Sequence, residues 1–171
     1  MILSPLTAAM VLVCGAVYTD LLWRKIPNWL TMPFILLGFW LNGVQLGAGP
    51  GVVFAFKGLV AGLLFLMAPF LLGGAGGGDV KLLGAIGAIV GGYVVYWIFL
   101  YGAMAGGVVS LFMLLRKSKM ASVAGVFEDL KLLVFHLAPG LADQKKEREC
   151  IPYSVPIFAG YIAYVLAGGA A

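Results

Sequence analysis

Six apolar segments, of which the fourth is short, follow one another within the 171 residues of the chain. A helix that crosses a lipid bilayer needs about 20 apolar residues. The composition agrees, because 63% of the residues are hydrophobic and only 11% are charged, against about 25% charged residues in a soluble domain. The sequence therefore excludes a soluble globule and predicts an all-α polytopic membrane protein with six transmembrane helices. The segments cover approximately residues 3–22, 29–46, 52–72, 80–92, 93–115 and 151–170.

Glycine residues divide and pack these predicted helices. The apolar block from Val80 to Leu115 is too long for one ordinary span, and the pair Gly91-Gly92 predicts the break between the fourth and fifth helices. Glycine pairs four residues apart let two membrane helices approach closely, so we expect tight packing where they occur. Such pairs lie at Gly43 and Gly47, Gly58 and Gly62, Gly87 and Gly91, and Gly102 and Gly106.

The loops between the helices differ in positive charge. All but one of the 11 Lys and Arg residues lie in alternate loops, at Arg24 and Lys25, at Lys81, and between Arg116 and Arg148. The positive-inside rule predicts that these loops are cytoplasmic and that both termini lie outside. This orientation explains the net charge of +4, so no nucleic-acid partner is expected. Met1–Pro5 lacks the basic region of a signal peptide, so the first apolar segment is expected to remain as a span.

The segment at about 116–150 is the longest polar part of the chain. Its apolar residues recur at helical spacing and have basic clusters on both sides, which predicts an amphipathic helix in the interface of the inner leaflet. A substrate-gating role for this helix is the alternative. We expect one membrane-embedded domain over residues 1–171, with this segment as a cytoplasmic loop. The apolar positions are Val123, Val126, Phe127, Leu130, Leu133, Val134 and Leu137.

Side chains that bind metal ions are few and far apart in the sequence. Cys14 and Cys150 form no Cys-x-x-Cys pair, so neither a zinc site nor a disulfide framework is indicated. His136 has no second His or Cys near it, and we interpret it as an interfacial side chain rather than a ligand or a base. No metal and no cofactor are expected.

Two acidic residues stand apart from the others. The remaining acids all lie between Glu128 and Glu149, where solvation explains them. Asp20 is close to the end of the first predicted span, and Asp79 opens the fourth, so both are expected at the cytoplasmic boundary of the membrane. A carboxylate at membrane depth is costly unless it is paired or hydrated, which makes it a candidate functional residue. Two carboxylates at one depth predict a pair.

A pair of carboxylates can share one proton, because two like charges in contact cannot both ionise. The neutral member then donates to a carbonyl oxygen while the charged member takes a proton from water, which is the chemistry of peptide hydrolysis. Gly76, Gly77 and Gly78 lack side chains and would let an extended substrate approach Asp79, with the charge of Lys81 in support. The alternative is a flexible loop with Asp79 as the helix N-cap. The residue chemistry leaves both interpretations open.

Two motifs resemble those of a known family. Gly76–Asp79 fits the GxGD signature of intramembrane aspartyl peptidases, and its continuation Val80–Ala88 resembles the type IV prepilin peptidases. Asp20–Asn28 looks like the other catalytic segment of that family, with an Asp at the end of span one, a short basic turn and Ile-Pro-Asn. Ile151–Tyr153 also resembles the family, more weakly.

The resemblance implies an enzyme that removes the short basic leader of type IV prepilins, after a Gly, at the cytoplasmic face of the inner membrane. Asp20 and Asp79 would be its catalytic pair. Larger members carry a four-cysteine zinc site between spans one and two and also N-methylate the pilin. Here that turn is short and contains no cysteine, so the chain looks like the peptidase-only members that serve tight-adherence (Flp) pili or archaeal preflagellins. Its expected partners are prepilin-like substrates and the lipid bilayer.

Two other functions compete with this one. Intramembrane acids also mark ion pathways, so Asp20 and Asp79 could form a proton relay in a small transporter. Both acids are predicted at one face, however, and the inner parts of the six spans contain no further acid that would continue a relay. An inert subunit of a secretion machine would explain neither aspartate.

Overall fold

The computed structural model of the chain describes residues 4–23, 25–71, 76–116 and 154–169. These residues form α-helices, which confirms the all-α class. The helices are α1 (Pro5–Trp23), α2 (Asn28–Leu46), α3 (Ala48–Leu71), α4 (Gly77–Val90), α5 (Gly92–Arg116) and α6 (Ser154–Leu166). The predicted amphipathic helix, His136, Cys150 and Ile151–Tyr153 lie outside the described residues.

The chain divides into two compact units. One unit comprises Met1–Gly107 with Cys150–Ala171, and it contains Asp20 and Asp79. The other is Val108–Glu149, of which the described part is the end of α5. The predicted single domain therefore remains a prediction.

Helices α1, α2 and α3 are long and apolar enough to cross a membrane. Many of their large apolar side chains are exposed, among them Tyr18, Leu36 and Leu64. Exposed apolar surface on this scale is expected where a helix faces lipid. Helix α6 and the apolar stretch Gly92–Val108 of α5 are shorter. The chain is thus a helical membrane protein, while the six-span topology and the outer location of both termini remain predictions.

The predicted break in the long apolar block lies at Gly91. Helix α4 ends at Val90 and α5 begins at Gly92, with Gly91 between them at φ +85°. This φ favours glycine, and a side chain here would also overlap the ring of Phe54. Helix α4 has 14 residues and is therefore about 21 Å long, shorter than the roughly 30 Å hydrocarbon core.

Helix α3 begins four residues before the predicted span, at Ala48. Its first turn contains Pro50 and glycines, a composition that is typical of a loop. Proline is tolerated in the first turn of a helix, because the N–H groups there have no partner within the helix. Gly51 is also required at this point, since a side chain would overlap the backbone of Asn42 in α2. Close backbone packing therefore extends the helix beyond its apolar part.

Helix α4 is the centre of the fold. Every residue from Leu82 to Val90 is buried, and α4 packs against α1, α2 and α3. A helix that is apolar on all sides is expected in such a position, because it has no face to present to water. The short helix that follows the GxGD motif is thereby enclosed by the three helices that are long and apolar enough to cross a membrane.

Close glycine packing between helices is confirmed for some of the predicted pairs and not for others. Gly58 and Gly62 of α3 lie directly on the backbone of Gly87 and Leu83 in α4, where no side chain would fit. Gly102 in α5 lies against Pro156 and Gly160 in α6. The glycines Gly43 and Gly47 are not required in this way, because a side chain at Gly43 would meet no atom within 4 Å and one at Gly47 only the ring of Pro50 at 3.9 Å. Gly47 instead occupies the turn after α2 at φ +89°.

A side chain of α2 donates hydrogen bonds to the free carbonyl groups at the carboxyl end of α4. The last four carbonyls of a helix have no partner within it, and lipid offers none. Gly91 N–H donates to Gly87 O at 2.8 Å. Asn42 Nδ2 donates to Ala88 O at 3.0 Å and to Ile89 O at 3.1 Å. Asn42 is buried, and this contact allows a short helix to end inside an apolar environment.

We expect Asn42→Ala to lower the free energy of unfolding by about 1 to 3 kcal/mol, because two buried carbonyls lose their donor. Gln45→Ala on the same helix is the matched control, since Gln45 is exposed. Thermal unfolding in detergent micelles measures both variants. Equal midpoints for the two variants would contradict a stabilising role for Asn42.

Candidate active site

Asp20 lies in the last turn of α1 and is buried, with 8% of its surface exposed. Thr19 and Asp20 face inward, whereas Leu21, Leu22 and Trp23 are exposed. The core-facing side of α1 consists of apolar residues up to Ala16, so Asp20 continues a buried face and does not turn toward solvent. A carboxylate in this position needs hydrogen-bond donors.

Asp79 lies in the first turn of α4 and is also 8% exposed. Its Oδ2 accepts a hydrogen bond from Gly76 N–H at 3.1 Å, and its own N–H donates to Gly76 O at 3.1 Å. The N-cap is therefore Gly76, and Asp79 is the N3 residue, which corrects the alternative in which Asp79 is the N-cap. The carboxylate supports the helix start through one oxygen.

The two sequence motifs meet at the turn between α1 and α2. Gly78 lies against the backbone and Cβ of Ile26, and a side chain on Gly78 would crowd Ile26. Lys81 Nζ donates to Asn28 Oδ1 at 2.9 Å. These two contacts connect the turn after Asp20 to the first turns of α4. The charge support that Lys81 is expected to give Asp79 remains a prediction.

Asp20 and Asp79 are consequently close to each other. Helix α1 packs against α4, and the two carboxylates are near enough to interact electrostatically. Each is largely buried but retains a small exposed fraction. Water can reach a carboxylate in this state, and the surrounding protein strengthens the interaction between the two groups. The structure thus brings together the two acids that the sequence singled out.

The glycines before Asp79 have different surroundings. Gly76 and Gly77 are exposed, and a side chain on Gly76 would press on Asp79 Oδ2. The space beside Gly78 is occupied by Ile26 of the chain itself. Residues 73–75 lie outside the described part. A role in substrate approach remains a prediction for these glycines. The presence of glycine at position 78 is already explained by its packing against Ile26.

Ser154 is a third component of the site, which the sequence analysis missed. It is the first residue of α6 and is fully buried, and its Oγ donates a hydrogen bond to Asp20 Oδ2. A single Ser at the start of a helix is ordinarily an N-cap, so its residue type carried no signal for a contact with Asp20. The adjacent Ile151–Tyr153 motif was the only indication that this segment belongs to the site.

No group of three or more His, Cys, Asp or Glu side chains that could hold a metal ion occurs within residues 4–23, 25–71, 76–116 and 154–169. Cys14 is exposed on α1. The expected independence from metals and cofactors remains a prediction.

Comparison with known proteins adds the family. No significant match was found among curated proteins or among solved structures. The sequence model of the type IV leader peptidase family matches residues 6–111, a range that includes Asp20, Asp79 and the contacts between their segments. Because this match covers more than half of the chain, the chain belongs to the type IV leader peptidase family.

Proposed function

We propose that this peptidase is an aspartyl endopeptidase that removes the short basic leader of prepilin-like proteins at the cytoplasmic face of the inner membrane. The observation that carries the proposal is the proximity of two buried carboxylates, Asp20 at the end of α1 and Asp79 at the start of α4. Buried acids without a structural reason are rare in membrane helices. Among the described residues, Asp79 has such a reason through its hydrogen bond from Gly76 N–H to Oδ2.

The proposed reaction uses one proton shared by the two carboxylates. The charged carboxylate takes a proton from water as the water oxygen attacks the scissile carbonyl carbon. The neutral carboxyl donates its proton to the carbonyl oxygen, which gives a neutral tetrahedral diol. Collapse of the diol breaks the C–N bond: the pair gives its proton to the leaving amine nitrogen and takes one hydroxyl proton from the diol, which becomes the carboxylic acid product. The pair again holds one proton, so the cycle is balanced.

Substrate recognition follows from the surroundings of the pair. Gly76 and Gly77 are exposed beside Asp79 and leave room for an extended backbone with a small residue before the scissile bond. Trp23 and Trp29, on both sides of the turn between α1 and α2, are exposed. Aromatic side chains of this kind are common at the membrane interface. The apolar helix of a pilin would remain among the spans while its basic leader stays cytoplasmic.

The proposal includes the predicted domain and topology. Residues 1–171 would form one membrane-embedded domain with both termini outside and a cytoplasmic loop at 116–150. The alternating distribution of Lys and Arg in the sequence supports this orientation. A proton-coupled transporter is the competing function, and it would need a path from the pair toward the other face.

The test uses the purified enzyme and a synthetic prepilin-like peptide with a basic leader, a Gly before the scissile bond and an apolar helix. Mass spectrometry should detect one cleavage, directly after the Gly. Cleavage should continue unchanged in excess EDTA, because the pair activates water without a metal. Labelled S-adenosylmethionine should transfer no methyl group to the product.

Three results would count against the proposal. An intact peptide, together with proton uptake by liposomes containing the protein, would favour the transporter. Loss of cleavage in EDTA that zinc restores would show a metal enzyme. A methylated product would place the chain with the bifunctional members of the family.

A further inference from the structure

We propose that Ser154 is a positioning residue for Asp20, a role that rests on the proposed aspartyl mechanism. Its hydroxyl donates to Asp20 Oδ2 across 134 positions of sequence. Ser154 is fully buried, so water does not compete for this contact. A serine hydroxyl has one hydrogen, and here that hydrogen is committed to the carboxylate.

The contact gives the two carboxylates equivalent support. Asp79 Oδ2 accepts from Gly76 N–H, and Asp20 Oδ2 accepts from Ser154 Oγ. Each carboxylate is therefore held through one oxygen by a neutral donor. A neutral donor fixes the plane of a carboxylate without adding a positive charge that would stop the pair from sharing a proton. Within the part of the chain that the structure describes, these hydrogen bonds reach Oδ2 of each group, and Oδ1 is available to the shared proton and to water.

Through Ser154, helix α6 takes part in positioning Asp20. It packs against α1, and its first residue lies at the depth of Asp20. A second hydrogen bond connects the same two helices near their other ends, from Tyr161 Oη to Leu6 O at 2.6 Å. Its acceptor Leu6 is far from Asp20 along α1. Among the described residues, two side-chain hydrogen bonds therefore connect α1 and α6, and one of them reaches a carboxylate of the pair.

Removing each of these two hydrogen bonds in turn can distinguish a role in positioning Asp20 from a role in packing α6 against α1. If the role of Ser154 were only to hold α6 against α1, Ser154→Ala and Tyr161→Phe would have similar effects. If Ser154 orients Asp20, only Ser154→Ala should slow the chemical step. Both substitutions remove one hydroxyl and add no volume, so neither introduces a clash.

The experiment measures kcat and KM for the synthetic prepilin-like peptide, together with the thermal unfolding midpoint, in detergent micelles. We expect Ser154→Ala to lower kcat about 10- to 100-fold, the effect of losing one hydrogen bond to a charged group, with KM nearly unchanged. Tyr161→Phe should keep kcat within about twofold of the wild type. Ser154→Thr, which keeps the hydroxyl, should recover most of the lost rate if its extra methyl group is accommodated.

The outcomes distinguish this inference from the proposed function. Wild-type kcat in Ser154→Ala, while Asp20→Asn and Asp79→Asn are inactive, would overturn the positioning role and leave the aspartyl mechanism standing. Equal losses of kcat in Ser154→Ala and Tyr161→Phe would reduce Ser154 to a packing contact. Activity in the two Asp variants would overturn the mechanism and the inference together. If Ser154→Thr folds poorly, the comparison of Ser154→Ala with Tyr161→Phe decides the question.

Discussion

Asp20→Asn and Asp79→Asn should each lower kcat/KM for leader cleavage by three orders of magnitude or more. The pair works as a unit, so losing either carboxylate removes the shared proton and with it both the base and the acid. Neither substitution should unfold the protein. An Asn side chain keeps an oxygen that can accept from Ser154 Oγ at position 20 or from Gly76 N–H at position 79.

The same change at Asp129 is the matched control, because this acid belongs to the polar segment and has no assigned role. Asp129→Asn should cleave the peptide at the wild-type rate. Thermal unfolding of all three variants would show whether the fold is preserved. More than about a tenth of normal activity in either active-site variant would refute the catalytic assignment.

Gly58→Ala should destabilise the protein by about 3 kcal/mol, near the upper end of the usual cost of overpacking. A methyl group at this position would overlap Gly87 O, a backbone atom that cannot move without displacing α4. Helix α4 is the buried centre of the fold and contains Asp79, so cleavage should fall together with stability. Chemical or thermal unfolding in micelles measures the loss.

Gly43→Ala is the same substitution at a glycine with no atom within 4 Å of the added methyl group. Alanine is the better helix former by about 1 kcal/mol, so this variant should be unchanged or slightly more stable. The two substitutions are therefore expected to differ in sign. Equal stability of Gly58→Ala and the wild type would show that α3 and α4 are not packed as described.

Much of the helical framework could be predicted because its causes are local. The six apolar segments became helices α1 to α6, with ends within four residues of those predicted. The break at Gly91 could be predicted because two adjacent glycines interrupt an apolar block that is too long for one span. Asp20 and Asp79 could be singled out because an acid is so costly in an apolar segment that its presence requires an explanation.

Contacts between helices could not be read in this way. Identical glycine spacings pack tightly at Gly58 and are open at Gly43, because the spacing does not indicate which face meets another helix. Asn42 and Ser154 are single polar residues whose partners lie 46 and 134 positions away. Periodicity and residue type indicate which groups are buried and how much free energy their burial costs. This information was sufficient to predict the helices and the acidic pair. The partner that offsets this cost depends on the rotation and depth of each helix, which only the tertiary structure decided.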